Sequence, residues 1–134
     1  MPIQYVIGQT EFMSLKFHLN NYVLIPRPET EELVSWILES NIENKSILDI
    51  GTGSGCIAIS LSKYGNPLEV YGWDINKKII EIANLNATEN NVEIDFSIND
   101  INNLKTKRKY DVIVSNPPYV CYDEKKYMDL NFFK

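Results

Sequence analysis

The sequence predicts an α/β domain built on a parallel sheet, and three observations carry that reading. Short apolar runs at Ile47–Ile50, Val70–Trp73, Val92–Phe96 and Val112–Val114 alternate with stretches of helical periodicity or polar connection. Strands that alternate with helices bury a parallel sheet through right-handed crossovers. A glycine-rich segment, Gly51–Gly55, follows the first run, and an acid, Asp74, ends the second. The size agrees, because 134 residues with 44% hydrophobic side chains suit one core.

Residues 3–24 read as strand, turn, strand. Ile3, Tyr5 and Ile7 alternate along the chain, Gly8 follows as a turn signal, and Phe12, Leu15, Phe17 and Leu19 suggest a second extended stretch ended by Asn20 and Asn21. Residues 1–25 are therefore expected to form a β-hairpin segment that leads into a core over residues 26–134. Pro26 and Pro28 forbid a helix across them, but Pro28 suits a helix's first turn. Glu29, Glu31 and Glu32 favour the positive end of that helix, and Leu33, Val34, Ile37 and Leu38 recur at its period. Further helices are expected over 56–64 and 76–90, with Gly65-Asn66-Pro67 breaking the chain between them. Only four core strands can be counted, so the sheet is expected to be incomplete, with one edge open.

Composition excludes several functions. The net charge of −5 leaves no basic footprint for nucleic acid. The one basic cluster, Lys105, Lys107, Arg108 and Lys109, reads as a solvated loop. Cys56 and Cys121 form no CxxC pair, so neither a disulfide scaffold nor a metal site is expected. His18 is the sole histidine and falls in a strand-like segment, which argues for a structural role and against His-dependent catalysis. No apolar run reaches the roughly 18–20 residues that span a membrane, and the N-terminus lacks a signal-peptide pattern, so a cytoplasmic location is expected.

The chemistry concentrates at three places. Gly51, Thr52, Gly53, Ser54 and Gly55 occupy a strand-to-helix junction, where glycines let the backbone turn tightly and approach a ligand. A purely structural turn is the alternative. The spacing is GxGxG, which differs both from the dinucleotide GxGxxG and from the phosphate-cradling P-loop. Asp74 stands roughly 20 residues beyond, where nucleotide-binding folds place an acceptor for ribose hydroxyls; a helix N-cap is its alternative role. Asp100 follows the third strand and can border an adenine edge or cap its own loop, with Ile101 available to pack on the adenine face. Asn116-Pro117-Pro118-Tyr119 follows the fourth strand, where ligand crevices of such sheets lie. The prolines fix the backbone and leave carbonyl acceptors, the Asn116 side chain adds an acceptor and two donors, and Tyr119 supplies an aromatic wall. Together they suit a planar amide or amine held with its nitrogen lone pair toward an electrophilic carbon.

At these residues the sequence resembles class I S-adenosylmethionine-dependent methyltransferases with an (N/D)PPY motif. Pro2–Tyr5 with Gly8 and Phe12, Ile25–Glu31 (IPRPETE), Asp49–Ala58 (DIGTGSGCIA) and Val114–Tyr119 (VSNPPY) narrow the resemblance to the HemK/PrmC family of protein-glutamine N5-methyltransferases, over nearly the whole chain. The NPPY motif alone is shared with adenine N6-methyltransferases. The resemblance implies a Rossmann-like sheet that binds S-adenosyl-L-methionine and, as partner, a peptide-chain release factor carrying a Gly-Gly-Gln loop. Gly51, Thr52, Gly53 and Gly55 would hug the cofactor's methionine part, Asp74 its ribose, and Asp100 and Ile101 its adenine. Asn116 and the Pro117 carbonyl would hold the glutamine amide, with Tyr119 nearby, and Asn116 would also contact the cofactor. The Arg27–Glu31 segment would close over the cofactor or serve structure alone. Family members carry a helical domain before the position of Met1 and strands beyond Lys134, so the chain resembles their central portion, with self-association through the open edge an expectation. The competing expectations are an adenine N6-methyltransferase and a non-catalytic cofactor-binding fragment.

Overall fold

Ile47 and Leu48 lose all contact with solvent in β3 (Ser46–Ile50), as expected of a strand covered on both faces. This strand is the centre of the architecture. The computed structural model of the chain describes residues 8–100, 102 and 108–116. Within them β4 (Glu69–Asp74), β5 (Asp95–Ile98) and β6 (Val112–Ser115) join β3 in a four-stranded sheet of order β5-β4-β3-β6, every pair parallel. The predicted α/β class with a parallel sheet is what forms.

Each crossover has a local cause. Helix α1 (Pro28–Glu39) starts on Pro28 after an extended Arg27 and carries Glu29 and Glu31 in its first turn, which complements the positive helix end. Helix α2 (Cys56–Gly65) stops at Asn66, whose left-handed backbone cannot continue it. Helix α3 (Lys77–Glu89) is capped by Asn76, whose side chain accepts from the Lys78 N–H at 2.7 Å. Because α2 packs against both α1 and α3, the helices form one layer. Residues from that layer and from the sheet, among them Val34, Ile37, Ile57, Ile59, Leu61, Val70 and Phe96, make a single core.

The N-terminal hairpin differs from its sequence reading. The expected strand over 3–7 lies outside the described residues. Gly8 precedes the hairpin instead of forming its turn, and the stretch from Phe12 to Leu19 is not one strand. β1 (Gln9–Phe12) and β2 (Leu15–His18) pair antiparallel around Met13 and Ser14. Both turn residues have positive φ, 52° and 64°, as a two-residue hairpin loop requires. Met-Ser lacks the Asn-Gly signal that announces such a turn. Phe12 and Phe17 meet edge to face at 6.1 Å and bury themselves in the core of the α/β body.

The third predicted strand also shifts. It begins at Asp95, not at Val92. Asn91 takes a left-handed φ of 59°, and the N–H groups of Asn91 and Val92 reach back to the carbonyls of Thr88 and Ala87 at 3.2 and 3.1 Å. These two bonds close α3 in a Schellman motif, whose apolar residue just past the cap packs back on the helix. Val92 and Ile94 therefore serve core packing before the strand starts.

One buried side chain ties the layers together. Asn86 on α3 accepts from the His18 N–H at 2.6 Å and donates to the carbonyls of His18 and Ser54 at 3.0 and 2.8 Å. It thus pairs with the end of β2 and with the glycine-rich loop at once, and it is wholly buried. Asn86→Ala strips three polar backbone groups of their partner and leaves a void. The expected loss of unfolding free energy, read by urea denaturation, is about 3 kcal/mol.

Candidate functional site

In the strand order β5-β4-β3-β6 the chain direction of travel reverses between β3 and β6. Open parallel sheets bind ligands in the crevice outside such a switch point, at the carboxyl ends of the strands. Gly51 follows β3 there. Asn116 follows Ser115, the register partner of Ile50. Asp74 closes β4, and Asp100 lies two residues beyond Ile98, the register partner of Asp74. The described members of the predicted set therefore share one edge of the sheet. Ile101, Pro117, Pro118 and Tyr119 lie outside the described residues.

The glycine-rich loop is held from beneath. The N–H groups of Gly51 and Thr52 both donate to the Trp73 carbonyl at 2.9 Å, which prolongs the β3–β4 contact past the strand end. The Gly53 N–H donates to Asp74 Oδ2 at 3.0 Å, and Asp74 Oδ1 accepts from the Ile75 N–H at 2.8 Å. Asp74 thus couples loop and strand directly. The alternative role of helix cap falls to Asn76 instead. Each Asp74 oxygen keeps a second lone pair for a further donor.

The loop residues divide by direction. A Cβ added at Gly51 or Gly53 would meet nothing within 4 Å, so these positions border open space. At Gly55 it would meet Ile59 Cδ1 at 3.0 Å and Phe96 Cζ at 3.2 Å, on a backbone with φ of 87°. Glycine at 55 is therefore needed for both packing and conformation. Thr52 and Ser54 are buried. Thr52 donates its hydroxyl to Asp49 Oδ2 at 2.8 Å, and the Ser54 carbonyl is the one held by Asn86. Gly72 under the loop explains how the Phe96 ring fits, since a Cβ there would stand 2.4 Å from Phe96 Cδ1.

Two residues outside the predicted set belong to this arrangement. Asp49 is 1% exposed on β3, and its Oδ1 has no hydrogen-bond partner among the described residues. Burial pushes its carboxyl up from 3.8 to about 7; the Thr52 hydroxyl opposes the rise and the Asp74 charge adds to it. The signal was legible as one carboxylate inside the apolar run Ile47–Ile50. Thr30 is the other: its side-chain oxygen accepts from Asn116 Nδ2 at 3.0 Å, so the first turn of α1 reaches the end of β6. Only the IPRPETE segment hinted at it. Asp100 is exposed and accepts from the Asn102 N–H at 2.9 Å, the loop-capping bond foreseen as one of its two roles.

The remaining sequence candidates lie elsewhere. Arg108 at the amino ends of the strands pairs with Glu69 at 2.6 Å and lies 4.3 Å from the Tyr71 ring centroid, so this member of the basic cluster is occupied. His18 pairs with Glu89 on α3. Cys56 is buried, and desolvation pushes its thiol up to about 12, which makes it unreactive. No described helix is long and apolar enough to cross a membrane.

Comparison with known proteins bears on this site. The family model described as "Methyltransferase small domain" matches residues 29–132. The release factor glutamine methyltransferase of Flavobacterium psychrophilum is 49% identical over 97% of this chain and 48% of its own length. The enzyme of the same name from Streptococcus pneumoniae is 44% identical over 97% of this chain and 47% of its own length. The chain thus spans about half the length of the curated relatives it matches. Among solved structures, the Pyrococcus abyssi tRNA (uracil-54, C5)-methyltransferase in complex with S-adenosyl-L-homocysteine superposes with a TM-score of 0.67 at 25% identity, covering 82% of this chain and 28% of that one. A Thermus thermophilus 16S rRNA methyltransferase shares the fold at a TM-score of 0.71 and 19% identity, over 85% of this chain and 33% of that one.

The Asp49 carboxyl sets a pH dependence of stability. Its folded value lies above its unfolded one, so its favourable share is complete below about pH 4 and is lost as pH rises toward 7. In that window the unfolded chain releases a proton that the folded chain retains. Asp49→Asn is expected to remove this part of the decline, on the order of 4 kcal/mol at most. Denaturant titrations of both proteins between about pH 4 and pH 8 read it; parallel curves would refute it.

Proposed function

Because this chain belongs to the methyltransferase small domain family, we propose that it binds S-adenosyl-L-methionine and directs methylation of the side-chain amide nitrogen of the glutamine in a release factor's Gly-Gly-Gln loop. The observation that carries the reading is the convergence of Gly51–Gly55, Asp74 and Asn116 on one switch point. The curated relatives, named release factor glutamine methyltransferases and 44–49% identical over nearly the whole chain, support the substrate class.

The residues present fit the cofactor. Gly51 and Gly53 border open space where a side chain would otherwise stand, and Asp74 retains acceptor capacity. In this reading the Gly51–Gly55 backbone, with Thr52 and Ser54 turned inward, lies along the methionine part. Asp74 accepts from the ribose hydroxyls, and Asp100 and Ile101 border the adenine. The bound cofactor supplies a methyl group on a positively charged sulfur. The Asn116 side chain and the Pro117 carbonyl accept from the two N–H groups of the substrate amide, which fixes its plane. Pro118, with its fixed φ, and the aromatic Tyr119 complete the motif in this reading. So held, the amide nitrogen would face the methyl group that the cofactor would supply, with its N–H groups on Asn116 and the Pro117 carbonyl and solvent available to take the amide proton. An amide nitrogen is a weak nucleophile because its lone pair is delocalised into the carbonyl, so holding it close to the methyl carbon and in line with it is the main help these residues can give. We place the reaction in the cytoplasm, with the release factor as a transient partner.

Two outcomes test the reading. Calorimetric titration of the cofactor is expected to show binding that Asp74→Ala weakens about 100-fold, since hydrogen bonds to a charged group are lost. Asn116→Ala is expected to weaken that affinity far less than Asp74→Ala does while slowing methyl transfer to a Gly-Gly-Gln protein about 100-fold. Transfer only to an oligonucleotide would overturn the substrate assignment.

A further inference from the structure

An asparagine amide can face a substrate in two ways that differ by a half turn. In one its oxygen is presented, in the other its NH2 group. Only the oxygen suits a substrate that itself offers N–H groups, because the NH2 face would set donor against donor. Asn116 follows β6 and is exposed. A threonine hydroxyl can donate as well as accept, and the structure sets that of Thr30 as the acceptor for the Asn116 NH2 group. Thr30 lies in the first turn of α1, where its N–H donates to the Arg27 carbonyl at 3.0 Å, and it is 5% exposed. Its hydroxyl oxygen accepts from Asn116 Nδ2 at 3.0 Å across 86 positions of sequence.

We infer that Thr30 is a positioning residue: it holds the Asn116 NH2 group toward α1 and thereby presents the Asn116 oxygen to the substrate amide. The inference rests on the proposed methyl transfer to a glutamine amide and extends it to a residue of the Arg27–Glu31 segment that acts through Asn116. It also gives the IPRPETE segment a definite task. Pro28 fixes where α1 starts, and the start of α1 fixes where the threonine hydroxyl stands.

The test compares Thr30→Val, which keeps the shape and loses the hydroxyl, with Thr30→Ser, which keeps the hydroxyl. The Asn116 side-chain NH2 resonances, followed by nitrogen-edited NMR in the cofactor-loaded protein, report the bond without turnover. They are expected to shift and exchange faster with solvent in Thr30→Val and to stay near wild type in Thr30→Ser. Methyl transfer to a Gly-Gly-Gln protein is expected to fall about tenfold in kcat for Thr30→Val, a larger change than in cofactor affinity, and to recover in Thr30→Ser. Unchanged Asn116 resonances in Thr30→Val overturn the inference, as does a wild-type kcat in that variant. A wild-type protein silent toward the glutamine substrate counts against the functional reading alone, and the resonances still decide the role of Thr30.

Discussion

The fold hangs on the amide of Asn86. A fully buried carboxamide is costly unless each of its polar atoms is paired, and here it binds two separate stretches of backbone at once. With His18 it forms a two-bond pairing like that of a neighbouring strand, which docks the hairpin on α3. With Ser54 it fixes the far side of the glycine-rich loop. The loop's near side is fixed by the Trp73 carbonyl and by Asp74. A loop held at both flanks by buried or half-buried bonds keeps its shape before any ligand arrives, and preformed geometry is what lets a site bind without first ordering itself.

The three acids near the strand ends have different surroundings and so different uses. Asp49 is sealed under the loop, where burial favours its protonated form, and it accepts from the Thr52 hydroxyl. Asp74 is half-buried and takes two backbone N–H bonds. Asp100 is open to solvent and shapes its own turn. Identical chemistry is thus sorted by burial, with the deepest carboxyl serving the loop and the shallower ones facing the crevice.

Much of this was legible in the sequence. The helices and the parallel strands announced themselves through periodicity, and the loop through three glycines between a strand and a helix. The candidate residues whose placement could be read were those set by position along one strand: Gly51–Gly55 and Asn116 follow a strand's carboxyl end and Asp74 closes one. What could not be read depends on contacts between remote segments. The Thr30 hydroxyl meets Asn116 only once α1 and β6 are both in place, and Asn86 is indistinguishable in sequence from the solvent-facing asparagines around it. The hairpin turn escaped because Met13 and Ser14 adopt a backbone shape that their side chains do not favour. The late start of β5 escaped because an apolar run looks the same whether it pairs in a sheet or closes a helix.

The placement of β6 also bears on how the protein acquires its shape. β3, β4 and β5 follow one another through compact crossovers, whereas β6 must return to β3 from far along the chain. Ser46 and Asp111, 65 positions apart, exchange backbone and side-chain bonds at its base. Contacts that close so long a segment form slowly relative to local ones. The half of the crevice built by the glycine-rich loop and Asp74 is therefore expected to assemble first during folding. The half that carries Asn116 arrives with the last strand, so the crevice closes in two stages of unequal range.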